Sequence, residues 1–143
     1  LRSLKKVGKQ LLVVDFNPEI VENLRKQKID AMYGDIANRE VLRHINFEKT
    51  KVIISTVHQL SDNLVLLKHL QDTKSKALTF LAAKTMSDAL SLYDSGADYV
   101  IIPDIMSGEQ VAQLLDKHMH DLKSLKKVKR QHLKHLLEME SDY

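Results

Sequence analysis

The chain has 143 residues, 43% of them hydrophobic and 29% charged, and a net charge of +3. These values are typical of a soluble globular protein with its own core, and no apolar run approaches the ~20 residues that span a bilayer. The absence of cysteine excludes a disulfide scaffold and favours a reducing compartment. Because the chain begins at Leu1 without a methionine, we expect it to be a fragment.

The predicted elements alternate between strand and helix along most of the chain. Apolar residues at helical spacing before Gly8 predict the end of a helix. The apolar run 11–15 predicts a strand, and Asn17 and Pro18 predict the start of a helix that reaches about Gln27. The later predicted elements are a strand at 30–33, a short helix capped by Asn38, a strand at 52–56, a helix opening at Ser61-Asp62, a strand at 78–83, a helix from about Ser87 to Gly96, and a strand at 99–102.

This alternation predicts the fold class. No β-hairpin turn separates the strands, so we expect parallel strands joined by right-handed helical crossovers. The run Val52–Thr56 is almost wholly apolar, which is typical of a strand buried on both faces. The prediction is an α/β fold, a Rossmann-like doubly wound parallel sheet.

The most informative single residue is Asp15, which ends the first predicted strand. In nucleotide-binding α/β sheets, an Asp in this place accepts hydrogen bonds from ribose hydroxyls. It normally follows a first strand and a Gly-x-Gly-x-x-Gly turn by about 20 residues, and nothing before Asp15 supplies either. We therefore predict a sheet without its first strand and Gly-rich loop, in which strands 11–15 and 52–56 have lost a shared neighbour.

Residues 107–143 are predicted to form a long, basic, amphipathic helix that associates with a partner or docks on another domain. Ser107 and Gln110 have the spacing of a capping box. A heptad-like seam with polar interruptions comprises Val111, Leu115, His118, Leu122, Leu125, Lys129, His132, Leu136 and Met139. The Lys-rich tail lacks interleaved aromatic residues, which weakens a nucleic-acid interpretation. A solvated basic face is the simpler alternative.

No pattern of residues predicts catalysis or a metal centre. Thr56 and Val57 stand at the carboxyl end of an apolar strand, where open α/β sheets bind ligands. His58 follows them, and an exposed loop histidine explains it without a catalytic role. His132 and His135 are three apart on a predicted helix, but no nearby cysteine completes a ligand set.

Several short motifs, in order, resemble one known family. They are Leu12-Val13-Val14-Asp15-x-Asn17-Pro18-Glu19, Tyr33-Gly34-Asp35, Val52-Ile53-Ile54-Ser55-Thr56, Ala82-Ala83-Lys84 and Gly96-Ala97-Asp98-Tyr99-Val100-Ile101-Ile102-Pro103. The ordered set resembles the RCK domain, also called the KTN or TrkA-N domain, over residues 1–106. The closest resemblance is to the C-terminal cytoplasmic part of cation:proton antiporters, including K⁺ efflux systems.

The resemblance implies a regulatory, non-enzymatic module that senses NAD(H) or an adenine mononucleotide such as AMP or ATP. It implies a partner, the membrane transporter domain of the same polypeptide, and a homodimer at the cytoplasmic face of the plasma (inner) membrane. No nucleic acid is expected to bind. The implied cofactor-binding residues are Asp15, Asn17, Asp35, Thr56, Val57 and Lys84. Among these, Asp15 and Asp35 would recognise ribose and adenosine, and Lys84 would face phosphate.

The chain departs from this family at its start, because it lacks the strand and turn that cradle the phosphates. This departure puts nucleotide binding by the chain alone in doubt. Asn17 is also explained fully by its N-cap role, and Asp35 by a Gly-Asp turn. Alternative functions are a fragment of an NAD(P)-dependent oxidoreductase, a receiver-like signalling module based on residues 96–99 and Pro103, and a basic DNA-binding protein.

Overall fold

The computed structural model describes residues 10–118, 128–134 and 136–137. The elements in chain order are β1 (Leu12–Asp15), α1 (Pro18–Lys26), β2 (Asp30–Tyr33), α2 (Arg39–Arg43), β3 (Val52–Ser55), α3 (Leu60–Asp72), β4 (Leu78–Ala82), α4 (Met86–Asp94), β5 (Tyr99–Ile101) and α5 (Pro103–His118). The strands lie within one residue of their predicted bounds. The predicted caps Asn17 and Asn38 each accept a hydrogen bond at 2.9 Å from the backbone N–H two residues later.

Every described strand pair is parallel, which confirms the predicted α/β fold. β1 pairs with β2, and β4 lies between β3 and β5 in a second sheet. β1 and β3 do not pair with each other among the described residues. In a doubly wound order, one further strand would lie between them and pair with both. The two separate sheets agree with the predicted loss of a shared neighbour.

The free edge of β1 can be identified from its ladder. In a parallel ladder, alternate residues direct both backbone groups to the same neighbour. The backbone N–H of Gly34 donates to the carbonyl oxygen of Asp15 at 3.0 Å, so Asp15 faces β2. Leu12 and Val14 must therefore direct their N–H and C=O groups away from β2, toward the position of an additional strand.

The free edge of β3 follows from the same alternation. Leu78 N–H donates to the carbonyl oxygen of Lys51 at 2.9 Å, so the backbone groups of Val52 and Ile54 point away from β4. The side chains of Val52 and Ile54 are also 48% and 45% exposed, whereas Ile53 packs against the main core. The prediction that this strand is buried on both faces is wrong for the described chain, because its second face lacks a covering layer.

The two sheets have cores of different size. The main core lies around β3, β4 and β5, and its buried residues include Leu42, Leu66, Leu81, Leu92 and Val100. A smaller cluster beside β1 and β2 is formed by Val21, Leu24, Ile29 and Ala31. Most of the buried apolar area, and hence most of the hydrophobic stabilisation, therefore belongs to the larger sheet.

The outer edge of β5 is closed by a side chain. Val100 N–H, which points away from β4, donates to the hydroxyl oxygen of Tyr93 at 3.0 Å. This contact satisfies the edge N–H that a further strand would otherwise use. The edge of β5 is thus blocked by α4, while the edges of β1 and β3 have no such contact among the described residues.

α5 belongs to a second compact unit, Pro103–Tyr143, separate from Leu1–Ile102. The helix begins at Pro103, so the prediction that Ser107 caps its start is wrong; proline at a first helical position explains the earlier start. Val111 and Leu115 of the predicted seam are exposed. Lys129, His132 and Leu136 are helical and exposed, while the His118 side chain, Leu122, Leu125 and Met139 lie outside the described residues. The division at 106/107 stays a prediction.

No helix within the described ranges combines the length and the apolar character that a membrane span requires.

Candidate functional site

Asp15 is oriented by the turn that joins β1 to α1. Its Oδ1 accepts a hydrogen bond at 2.8 Å from the backbone N–H of Asn17. The Asn17 side chain in turn accepts at 2.9 Å from Glu19 N–H and caps α1. The Asx turn therefore fixes the carboxylate at the end of the strand. Asn17 is half-buried and its carbonyl oxygen is used by the cap, so the structure supports its structural role directly.

Asp35 is held in the same manner at the end of β2. Its Oδ1 accepts at 2.8 Å from Ala37 N–H, and the residue is exposed. The preceding Gly34 is buried, and a Cβ atom there would lie 2.6 Å from Cγ1 of Val41. A residue with a Cβ atom at this position would require the Val41 side chain to shift. The predicted Gly-Asp turn is therefore set by a close approach of the backbone to a helix.

The two carboxylates follow neighbouring parallel strands. β1 and β2 align Asp15 with Tyr33, and Gly34 N–H donates to the carbonyl oxygen of Asp15. Asp15 and Asp35 therefore emerge at the same, carboxyl end of this sheet. In each, one oxygen is fixed by a backbone N–H, and Oδ2 has no hydrogen-bond partner within the described part of the chain. The arrangement presents two acceptors of fixed orientation to a ligand that donates hydrogen bonds.

Thr56 and Val57 follow β3 at the carboxyl end of the larger sheet. Val57 is half-buried, and its N–H turns back to Ser55 Oγ at 3.3 Å instead of continuing the ladder. Thr56 and His58 are exposed. The chain thus separates from β4 directly after Ser55 and exposes the turn that carries the predicted contacts.

Lys84 follows β4 and is exposed. It forms no salt bridge with a described residue, so its ammonium group is available to an anion. The next residue, Thr85, caps α4 by accepting from Asp88 N–H at 3.1 Å. Since β3 and β4 are parallel neighbours, Lys84 lies at the same end of the larger sheet as Thr56 and Val57. The structure therefore groups the predicted residues at the carboxyl ends of both sheets.

One buried polar residue in this region was not among the predicted site residues. Asn63, in the first turn of α3, is fully buried, and its amide contacts the backbone at the carboxyl ends of β3 and β4. The sequence could have indicated Asn63, because this polar residue occupies the apolar stripe otherwise formed by Leu66, Leu67 and Leu70. A polar residue in such a stripe requires buried hydrogen-bond partners.

At the opposite, amino end of the larger sheet, a carboxylate joins two strands by hydrogen bonds. Asp98 Oδ2 accepts hydrogen bonds from the N–H and the hydroxyl of Thr79 at 2.8 and 2.9 Å, and Thr79 Oγ1 accepts from Asp98 N–H at 2.9 Å. A cavity of about 310 Å³ adjoins this pair and is also lined by Lys74 and Lys76. Asp98 thus precedes β5 and joins two strands, whereas the receiver-like alternative needs an acid at a carboxyl strand end.

No group of three His, Cys, Asp or Glu side chains that could hold a metal ion occurs within the described ranges. His135 lies outside them, so the pair that it forms with His132 stays an open prediction.

Known proteins and solved structures resemble the chain. An uncharacterized protein of Methanothermus fervidus is 25% identical over 112 residues, which cover 77% of this chain and 18% of that protein. The chain therefore spans less than a fifth of that relative.

The NAD(P)-binding domain of an exopolyphosphatase-related protein from Archaeoglobus fulgidus has a TM-score of 0.70 and 22% identity, covering 81% of this chain and 86% of that one. The TrkA-N domain of the Escherichia coli inner membrane protein ybaL has a TM-score of 0.74 and 18% identity, covering 80% and 84%. The GsuK channel bound to NAD has a TM-score of 0.60 and 21% identity, covering 71% and 18%.

These likenesses agree with the Rossmann-like parallel fold, and the family assignment rests on the sequence itself. Residues 1–103, more than two thirds of the chain, match the TrkA-N domain. TrkA-N and RCK domains are nucleotide-binding modules that typically regulate K⁺ transport systems. This chain belongs to the TrkA-N domain family.

Proposed function

We propose that the chain is the nucleotide-sensing regulatory domain of a transporter that exchanges a monovalent cation, K⁺ or Na⁺, for protons. NAD(H) or an adenine mononucleotide binds across the carboxyl ends of the strands. Binding favours one arrangement of paired domains, and the transporter domain of the same polypeptide opens or closes in response. The ligand can shift this equilibrium only by its difference in affinity for the two arrangements.

The observation that carries the proposal is the pair of fixed carboxylates. Asp15 and Asp35 end neighbouring parallel strands, and each has one oxygen held by a backbone N–H. The remaining oxygen of Asp15 can accept a hydrogen bond from a ribose hydroxyl, and that of Asp35 can accept one from the adenosine side of the ligand. A hydrogen bond to a charged group contributes about 1.5–3 kcal/mol. The donor chemistry of a nucleoside therefore fits the residues that are present.

The described residues supply only part of a phosphate-binding site. Lys84 is exposed and without a described anionic partner, and Thr56 and Val57 line the turn beside it. A glycine-rich phosphate turn is absent from the described residues. We propose that an additional parallel strand pairs with the free edges of β1 and β3 and introduces that turn. The backbone groups of Val14 and Ile54, which point to this position, support the proposal.

The transporter partner and the homodimer are argued from chain length and from the surface of α5. The M. fervidus relative is more than five times as long as the region it shares with this chain, which leaves room for a further domain. Exposed Ile105, Met106, Val111 and Leu115 on α5 offer apolar area for a second copy. We place the assembled protein at the cytoplasmic face of the membrane, where a nucleotide sensor meets its ligands.

The test is thermal unfolding of the chain, and of any longer form of the protein, with NAD⁺, NADH, AMP, ADP and ATP. A ligand at 100 times its dissociation constant stabilises the folded state by about 2.7 kcal/mol. Asp15→Ala should abolish this stabilisation. Asp30→Ala is the control, because it removes the same charge from the opposite, amino end of the neighbouring strand.

The proposal fails if no nucleotide stabilises either form, or if both substitutions reduce the stabilisation equally. Equal losses would indicate a nonspecific effect of net charge. An oxidoreductase would instead convert a substrate in the presence of NAD⁺ or NADH, which absorbance at the nicotinamide band would detect.

A further inference from the structure

Asn63 joins the carboxyl ends of two strands through one side chain. Its Nδ2 donates to the carbonyl oxygen of Val57 at 2.7 Å and to that of Ala82 at 3.1 Å. Val57 follows β3, and Ala82 is the last residue of β4. One buried amide group therefore determines the separation of the two turns that carry Thr56, Val57 and Lys84.

The Asn63 amide replaces a backbone hydrogen-bond donor where the β3–β4 ladder ends. Ser55 pairs with Leu81, so the next step of a parallel ladder would be a bond from Val57 N–H to the Ala82 carbonyl. Val57 N–H instead donates to Ser55 Oγ. Asn63 supplies the missing donor to Ala82 and, in addition, holds the carbonyl of Val57. The side chain thus keeps β3 apart from β4 at this level while satisfying both buried backbone groups.

Few other side chains could make these two bonds. Both contacts require donors on one atom, and a carboxylate of the same size offers only acceptors. The Asn63 Oδ1 atom is buried without a partner in the described part of the chain, so the side chain is not optimal for packing alone. A leucine would continue the apolar stripe of α3 at this position. The amide at this position therefore fits a role in holding the two turns, because it bonds to one carbonyl oxygen on each of them.

We infer that Asn63 is a positioning residue for the nucleotide site: it holds the β3–α3 and β4–α4 turns at the separation that the ligand requires. This inference rests on the proposed function and adds a residue that does not contact the ligand. Asn63 is 0% exposed, so its effect must pass through the backbone of Val57 and Ala82. Its loss should weaken binding more than its effect on folding explains.

The principal experiment measures ADP and NAD⁺ affinity calorimetrically for Asn63→Asp, which replaces both donors with acceptors at nearly equal volume. We expect the dissociation constant to rise at least about tenfold, a change equivalent to about 1.4 kcal/mol. Asn63→Ser, which retains one donor, should give a smaller rise and provides a second variant if Asn63→Asp does not fold.

Two control variants separate positioning from simple destabilisation. Leu70→Ala removes a buried side chain near the other end of α3 and should destabilise the protein while leaving the dissociation constant within twofold. Gln71→Leu removes a side-chain bond to the carbonyl of Ser95, at 2.9 Å, far from both turns along α3. If Leu70→Ala weakens binding as much as Asn63→Asp does, Asn63 acts only through stability and the inference is overturned.

A ligand-free measurement decides the claim independently. Amide hydrogen exchange at residues 57–58 and 83–84 should accelerate together in Asn63→Asp, while exchange at residues 95–97 stays unchanged. If the wild-type chain and its longer form bind no nucleotide, the proposed function fails and the ligand part of this inference fails with it. If the wild type binds and Asn63→Asp binds equally well, only the positioning role is wrong. Unchanged exchange at both turns would also overturn it.

Discussion

The smaller sheet, β1–β2, and the larger sheet, β3–β4–β5, are supported very differently. Four buried apolar residues form the cluster beside the smaller sheet, whereas eleven form the main core, counted over the described residues. The smaller sheet nevertheless contains Asp15 and is followed directly by Asp35, whereas Asn63 lies on α3, beside the main core that surrounds the larger sheet. The proposed ligand contacts therefore lie on both sheets, but the two proposed to recognise ribose and adenosine belong to the sheet with the smaller core.

The difference in support between the two sheets bears on the proposed regulation. A site that lies partly on a weakly supported element can be reorganised at low energetic cost, whereas a site within the main core cannot. The free edges of β1 and β3 face the position where an additional strand would join the two sheets. Pairing at that position would join the sheet that holds the Asp15 carboxylate to the sheet with the larger core.

The largest predicted effect concerns the two cores. Leu81→Ala, at a fully buried position on the central strand β4, should lower the free energy of unfolding by about 2–5 kcal/mol. Leu24→Ala in the smaller cluster should cost less, because a sparse cluster can close around the cavity. Chemical denaturation of both variants measures the difference. Equal losses would show that the two cores support their sheets equally, despite their different numbers of buried residues.

A second prediction concerns the left-handed residues that follow two of the helices. Gly96 has φ +95° and Lys74 has φ +52°, each just after a helix. Gly96→Ala should destabilise by about 1–2 kcal/mol, because this left-handed conformation is strained for residues with a Cβ atom. Lys74→Gly should relieve strain and, after the added freedom of the unfolded chain, stabilise by up to about 1 kcal/mol. Thermal unfolding would contradict this account if both substitutions changed stability in the same direction.

The smallest predicted effect concerns the uncovered face of β3. Val52→Thr and Ile54→Thr should each change the stability of this chain by less than about 0.5 kcal/mol, because both side chains are nearly half exposed. Ile53→Thr, which alters the core-facing position, serves as the matched control and should cost more. In a longer form with an additional strand, the cost at Val52 and Ile54 should rise. A large cost in the chain alone would mean that this face is already covered.

The helix ends also show how far the sequence could predict the fold. Gly96 indicated a helix end correctly, but the same pair of bonds closes the helices before Lys28 and Lys74. In all three, two N–H groups after the helix donate back to carbonyls of its last turn, as in a Schellman motif. Lysine at these positions gives no sequence signal, because the left-handed conformation that ends a helix is recognised in a sequence by glycine, which adopts it without strain.

The candidate site was predictable to a similar degree. Asp15, Asp35, Thr56 and Lys84 lie at carboxyl ends of parallel strands as the pattern predicts, and their contact with a nucleotide stays a prediction. Asn63 was missed because its role depends on two carbonyl groups distant in sequence. Ile54 was predicted to be buried and is exposed. An apolar strand sequence does not reveal whether a second layer covers the strand within the described residues.

The most direct test of the central claim compares the affinities of ADP and 2′-deoxy-ADP for the wild type and Asp15→Ala, in the form of the protein that binds nucleotide. If Asp15 accepts a hydrogen bond from the ribose, the wild type should prefer ADP by about 10- to 100-fold, as one charge-assisted bond implies. Asp15→Ala should lose most of that preference, while Asp30→Ala should retain it. If Asp15→Ala still distinguishes the two ligands as the wild type does, ribose recognition by the paired carboxylates is wrong.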